Sequence, residues 1–325
     1  MNMIFVAAFA AGFALTLLLV PPAKRLAVAM GALDKPNARK VHKAPIPLWG
    51  GLGVFGGFVL SFASIIYFLP VREMLTDRST MQAVGMLLAG TAMVITGMID
   101  DRFGMPAKVK LLCQLVTGAM MYWFGIRIEY LTIPFWGVVF LAPWQGFGIT
   151  LFWIAGITNA LNLLDGLDGL LAGVSMTTAI VFLAVSIIKG QPLVGVAMAC
   201  LAGCALGFLR YNFNPAQIFM GDTGSLFFGM MFAGWSIIGL FKSTATVALF
   251  IPVLLMAVPI FDTSFAIVRR FLAGRPIFSP DKGHLHHRLL NKGLTQRQAV
   301  LVIYAINTFF GLLGLVLVLL FTKGA

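Results

Sequence analysis

Ten apolar stretches, near residues 3–22, 49–69, 80–99, 108–125, 148–163, 170–188, 192–209, 223–241, 245–268 and 299–321, alternate with short polar segments along the chain. Most approach the roughly 20 residues that a helix needs to cross about 30 Å of hydrocarbon. Inside such a span no water pairs with the backbone, so the pattern predicts helices that satisfy their own hydrogen bonds. No polar segment is long enough to fold separately. The expectation is an all-α, polytopic integral membrane protein with about ten transmembrane helices, residues 1–325 forming a single transmembrane domain. Between the fourth and fifth spans, residues 126–147 carry Pro134, Pro143 and several aromatics. A short hairpin or interfacial segment without chemistry is expected there.

Basic residues set the orientation. Lys24 and Arg25 directly follow the first span, which places the N-terminus outside and the first loop in the cytoplasm. The first span lacks a preceding basic residue and a small-residue cleavage site, so it reads as a resident span and not a signal peptide. Of 23 Lys and Arg, only Arg72, Arg78, Arg127, Lys189, Lys242 and Lys323 then fall outside, which leaves 17 on the cytoplasmic face. Composition agrees, since 60% hydrophobic and 10% charged residues exclude an ordinary soluble domain. The net charge of +12 suits anionic lipid headgroups and phosphorylated substrates. It argues against nucleic acid, because no soluble basic domain exists to hold it. Cys113, Cys200 and Cys204 lie in apolar spans and read as small buried residues.

The same threading places five loops on one side, and they hold most of the candidate chemistry. Asp100-Asp101 end the third span, where two carboxylates oppose each other and the helix dipole. Helix stability does not explain them, whereas a cation, either Mg²⁺ or a basic side chain, would. Asn162, Asp165 and Asp168 recur every three residues, on one face if the backbone is helical, with Gly166 and Gly169 letting a ligand approach. Clusters of Asn, Asp and Gly also mark simple turns. The next loop runs from Asn212 through Phe219 to Gly221-Asp222-Thr223-Gly224-Ser225. Asp222 and Thr223 suit a helix cap, and a helix start also attracts phosphate and a metal bridging to it. His284-Leu285-His286-His287-Arg288 hints at zinc but fits no ligand spacing, and it also suits hydrogen bonds to a pyrophosphate or sugar. Asp262, the acid inside a span, is expected to pair with a nearby basic residue.

Together, Lys43 to Gly51, Asp100-Asp101, Asn162 to Gly169, Asn212 to Ser225 and His284 to His287 resemble the polyprenyl-phosphate N-acetylhexosamine-1-phosphate transferases. The likeness covers all five loops in order, and the His-Leu-His-His form resembles the bacterial branch that begins teichoic acid, O-antigen and related glycans. Leu48-Trp49 is one departure, because relatives often have a basic or small residue and then Met. The resemblance implies transfer of N-acetylglucosamine 1-phosphate from a UDP-N-acetylhexosamine to undecaprenyl phosphate, with release of UMP. It also implies Mg²⁺, with Mn²⁺ as an alternative ion, and a bacterial cytoplasmic membrane with the active site on the inner face. A homodimer stays open. By the same resemblance, Asp222 and Asn162 are metal ligands and Asp100, Asp101 and Asp165 are catalytic. Lys43, Gly166, Asp168 and Phe219 line the uridine site, with Phe219 stacking on uracil. Asn212 and Asp165 sit near the phosphates and ribose, and His284, His286, His287 and Arg288 near the sugar-phosphate. A lipid phosphate is already mostly dianionic at neutral pH, so direct attack needs no strong base. An aspartyl-phosphate double displacement is the competing mechanism. The alternatives are a phospho-N-acetylmuramoyl-pentapeptide transferase and, from another class, a cation-coupled membrane transporter.

Overall fold

The described part of every apolar stretch is largely helical in the computed structural model, which describes residues 2–35, 44–68, 75–133, 137–239, 250–274 and 283–322. In chain order these are α1 (Asn2–Ala29), α2 (Gly50–Phe68), α3 (Asp77–Phe103), α4 (Ala107–Trp123), α5 (Pro143–Leu164), α6 (Leu170–Ile188), α7 (Pro192–Asn212) and α8 (Gly221–Gly239), followed by α9 (Phe250–Leu255), α10 (Ala257–Leu272), α11 (Leu285–Asn291) and α12 (Gln296–Thr322). Seven of them, α1, α2, α3, α5, α6, α7 and α12, are long and apolar enough to cross a membrane. Two short antiparallel pairs accompany the helices: β1 (Leu33–Asp34) with β2 (Ile46–Pro47), and β3 (Tyr130–Ile133) with β4 (Gly137–Phe140). The second pair is the hairpin expected in the segment after α4. Lys43 and His42 lie outside the described residues.

The stretch at 245–268 is not one continuous helix. Its described part breaks at Met256 into α9 and α10 because Pro259 has no N–H for the Leu255 carbonyl one turn earlier. That carbonyl accepts instead from the Thr178 hydroxyl at 3.2 Å. The same solution recurs in α1, where Pro21 leaves the Leu17 carbonyl free and the Tyr211 hydroxyl donates to it at 2.9 Å. Away from water each freed carbonyl needs such a partner, so two prolines become two interhelical links.

At the centre stands α8, of which every residue except Asp222 is buried. A helix apolar on all sides belongs in the interior, and α8 packs against α3, α5 and α2, while α1 and α6 enclose α7. Small residues permit the close approach. A Cβ on Gly97 would run into the backbone of Asp222 and Thr223, so α3 meets the start of α8 only because Gly97 has none. Chain ends then fall in register: the C-termini of α3, α5 and α7 and the N-termini of α4, α6 and α8 meet at one end of the bundle. Gly97→Ala is expected to destabilise the protein by about 1–3 kcal/mol through overpacking. A melting temperature in detergent equal to that of the unaltered protein would contradict this contact.

Candidate active site

A cavity of about 830 Å³ opens at this end, walled by the ends of α5, α7 and α8, the turn before α6, and α11 with the start of α12. Asp101, Asn162, Asp165, Gly166, Asp168, Asn212, Phe219, Asp222 and His287 all line it. Four of those nine are carboxylates, and Asp34 beside β2 adds a fifth.

Asp101 has a defined structural task. Its carboxylate accepts from the backbone N–H of Asp222 (2.8 Å) and of Thr223 (3.1 Å), and from the Thr223 hydroxyl (2.6 Å). It therefore caps α8 from another helix and satisfies donors that burial would otherwise orphan. Gly221, at φ 70°, turns the chain into α8, and a Cβ there would collide with the Asp101 carboxylate. The sequence suggested Asp222 or Thr223 as caps, but the capping carboxylate comes from 121 residues away. With these donors satisfied, Asp101 is a positioning residue in this geometry, not a free catalytic group.

Asp222 is left to face the cavity. Its Oδ1 accepts from the Asn162 Nδ2 at 2.7 Å, and its Oδ2 meets the Lys110 ammonium. Lys110 reaches across from the first turn of α4 and also binds Asp100, so one cation bridges two carboxylates. A reciprocal amide pair between Gln114 and Asn159 (2.6 and 3.3 Å) fixes α4 on α5. Asn162 spends its NH₂ on Asp222 and on Ser225 Oγ (2.8 Å), which leaves its carbonyl oxygen for a ligand. Among the described residues no three His, Cys, Asp or Glu converge closely enough to hold an ion alone. Mg²⁺ commonly takes one or two protein oxygens and completes its shell with water and substrate phosphate. The Asp222 carboxylate and Asn162 carbonyl fit that habit, and an oxygen-only set suits a hard cation better than zinc.

The three-residue repeat does not continue on one helix. α5 ends at Leu164, so Asp165 and Asp168 belong to the turn before α6, yet both still line the cavity. Asp168 Oδ2 accepts from Asn214 Nδ2 (2.9 Å) and from the Ala216 N–H (3.0 Å). Asn212 is committed to the backbone: its Oδ1 accepts from Gly169 N–H and its Nδ2 donates to the Ile218 carbonyl, both at 2.9 Å. It thus ties two loops together instead of offering polar atoms to phosphate. Burial, and then the charges of Asp222, Asp101 and Asp168, push the Asp165 carboxyl up to about 8.

The histidines separate into different roles. His284 Nδ1 pairs with Asp262 Oδ2 at 2.9 Å, and Asp262 Oδ1 accepts from the Leu285 N–H at 2.8 Å. Asp262 therefore anchors the start of α11, and the nearby basic residue that it meets is His284. His286 is buried against Gly166, where an added Cβ would lie 2.6 Å from its Nε2. Gly166 thus makes room for an imidazole as well as lining the cavity. Burial, then the neighbouring histidines, push His286 down to about 4, so it is neutral at pH 7 and no charged donor to phosphate. The guanidinium of Arg288 sits over the Phe265 ring at 5.8 Å. Of this run only His287 reaches the cavity wall. Lys110, Asp34, Asn214 and Gln296 complete the surroundings, and sequence reasoning passed over all four. Only Lys110 carried a signal, as a charge at the very start of an apolar span, where an ionisable group needs a partner.

Comparisons with known proteins bear on this arrangement. Residues 83–240 match a model described as glycosyl transferase family 4. The chain is 41% identical over 313 residues to a probable undecaprenyl-phosphate N-acetylglucosaminyl 1-phosphate transferase of Bacillus subtilis, covering 96% of this chain and 84% of that one. It is 38% identical over 307 residues to a decaprenyl-phosphate N-acetylglucosaminephosphotransferase of Mycobacterium tuberculosis (87% and 75% covered). With an undecaprenyl-phosphate alpha-N-acetylglucosaminyl 1-phosphate transferase of Escherichia coli it shares 30% over 302 residues (90% and 78%).

Asp165 supplies a pH test. With its carboxyl raised to about 8, it is mostly protonated at neutral pH in the ion-free protein. A dication nearby favours the carboxylate, so binding expels a proton and affinity rises with pH up to about 8, then levels. Calorimetric titration with Mg²⁺ on both sides of that pH, in buffers of different ionisation enthalpy, reads the released proton. Constant affinity without proton release would show that Asp165 does not sense the ion.

Proposed function

The chain belongs to glycosyl transferase family 4, and on that premise we propose that it transfers N-acetylglucosamine 1-phosphate from UDP-N-acetylglucosamine to undecaprenyl phosphate, releasing UMP. The observation that carries the proposal is the convergence, in one cavity at one end of the bundle, of Asp222, Asn162, Asp165, Asp168 and Phe219. Relatives named for this reaction match nearly the whole chain. Ten spans, an outside N-terminus and a cytoplasmic cavity in a bacterial inner membrane complete the reading. Lys and Arg are concentrated in the loops at this end, and the apolar stretches alternate accordingly.

In this reading uracil lies by Phe219 and Asp168. The diphosphate lies at the start of α8, where the helix dipole favours negative charge. A phosphate oxygen of the lipid attacks the β-phosphorus, the bond from that phosphorus to the bridging oxygen breaks, and UMP leaves with the bridging oxygen. Such transfer needs mainly positioning and charge neutralisation. Asp222 and Asn162 would hold Mg²⁺, or Mn²⁺, whose charge offsets that of the diphosphate. Lys110 holds Asp100 and Asp222 in place, and Asp101 holds the helix that presents Asp222. His287 takes the sugar-phosphate end, while His284 and His286 shape the loop that carries it. A cation-coupled transporter would place its acids near the bilayer midplane. Here they gather at the bundle end.

Purified protein with UDP-N-acetylglucosamine, undecaprenyl phosphate and Mg²⁺ in detergent is expected to release UMP with sequential kinetics, and none when lipid is withheld. A stoichiometric burst of UMP without lipid would establish a covalent phospho-sugar enzyme instead. Asp222→Asn is expected to lower turnover by roughly 100-fold or more, by analogy with removing one electrostatic contact in other sites, while the protein inserts and purifies normally. Near-normal rates at saturating Mg²⁺ would remove Asp222 from the metal site.

A further inference from the structure

The wall of the cavity opposite α8 holds a chain of hydrogen bonds whose direction is fixed from one end. Asp168 Oδ2 accepts from Asn214 Nδ2 and the Ala216 N–H. A carboxylate accepts only, so Asn214 must turn its NH₂ toward Asp168. The same nitrogen contacts the side chain of Gln296, the first residue of α12, at 2.8 Å. Its second hydrogen requires an acceptor, so Gln296 must present Oε1 to Asn214 and keep its own NH₂ on the other side. The amide orientations therefore follow from hydrogen-bonding logic and not from choice. α12 is seated independently: Arg297 donates to the Asn214 carbonyl at 2.7 and 3.0 Å, and the Tyr304 hydroxyl donates to the Gly169 carbonyl.

Among the described residues two prongs have no protein partner, an acceptor (Asp168 Oδ1) and a donor (Gln296 Nε2), on residues that both line the cavity and are bridged by one nitrogen. An acceptor beside a donor complements an imide edge, which offers an N–H next to a carbonyl. Uracil has that edge. Cytosine reverses it, with a bare ring nitrogen facing the carboxylate and an amino group facing the amide, so both contacts turn repulsive.

We propose that Gln296 is a specificity-determining residue that donates from its amide to a carbonyl of the bound pyrimidine and so selects uracil over cytosine, with Asn214 as the positioning residue that orients it. This rests on the proposed use of a uridine diphosphate donor. It assigns a task to the amino end of the last span, which otherwise reads as a helix start on the cavity rim. Discrimination arises because the wrong base leaves the carboxylate and the amide unpaired, which costs more than the hydrogen bonds themselves yield.

The test compares UMP and CMP binding to the full-length protein by calorimetry, with turnover of UDP-N-acetylglucosamine measured alongside. Gln296→Glu keeps an acceptor for Asn214 but replaces the outward NH₂ with oxygen. The ratio of CMP to UMP dissociation constants is expected to fall at least tenfold, mainly through weaker UMP binding. Gln296→Leu, which removes both the prong and the tie to Asn214, is expected to weaken UMP more than CMP. An unchanged ratio in Gln296→Glu, whatever its overall affinity or stability, would overturn the proposal, since a purely structural role would weaken both nucleotides alike. Preference for UMP that Gln296→Glu erases, in a protein that turns over no UDP-sugar, would sustain this inference while removing the transferase reading.

Discussion

The amino end of α8 is buried at the cavity end of the bundle, and its backbone donors need partners there. Asp101 meets that demand from the end of α3, with three hydrogen bonds between 2.6 and 3.1 Å. Much of the site depends on this cap. It requires Gly221 to turn without a side chain and Gly97 to let two backbones touch. Once α3 and α8 are locked, Asp222 projects into the cavity beside Asn162 of α5, and Lys110 of α4 lies in reach of both Asp100 and Asp222.

Electrostatics then gives the cavity its character. Five carboxylates line it, and Lys110 compensates from behind Asp222. Burial, and then the charges of Asp222, Asp101 and Asp168, push the Asp165 carboxyl up to about 8. A dication with a phosphorylated ligand relieves that imbalance better than either alone, because the ion links protein oxygens to phosphate oxygens. In the proposed reaction such a cavity suits joint occupation by metal and donor.

The opposite wall is built by commitment of polar groups to each other. Asn212 joins the turn before α6 to the loop before α8, Asn214 joins Asp168 to α12, and Asp262 holds the start of α11 through His284. Each tie removes freedom from a loop that would otherwise move, so the groups left facing the cavity are presented in fixed directions. The cavity-facing edge of Asp168 owes its placement to Asn214 and the Ala216 N–H.

Helix positions were legible in the sequence because a membrane imposes a simple rule: apolar for about 20 residues, polar between. The acids and amides at the ends of those stretches were legible too, since each is costly beside hydrocarbon and needs a reason. The exceptions are local chemistry overruled by distant partners. Pro259 lies within an apolar stretch, but the partner of the carbonyl that it frees is a hydroxyl from α6. Asn162, Asp165 and Asp168 carry a helical repeat, yet the helix stops at Leu164 and they share a cavity by another route. Asp101 reads as half of an acidic pair and His286 as one of three equal imidazoles, while Gln296 carries no signal in the sequence. Only the fold makes the first a cap, the second a neutral buried ring and the third a partner of Asn214. Sequence by itself determined which residues lie at which end of each helix, because hydropathy is a property of the local chain. Tertiary structure alone decided which polar atoms are spent on the protein and which remain for a ligand, because hydrogen-bond partners come from residues far apart along the chain.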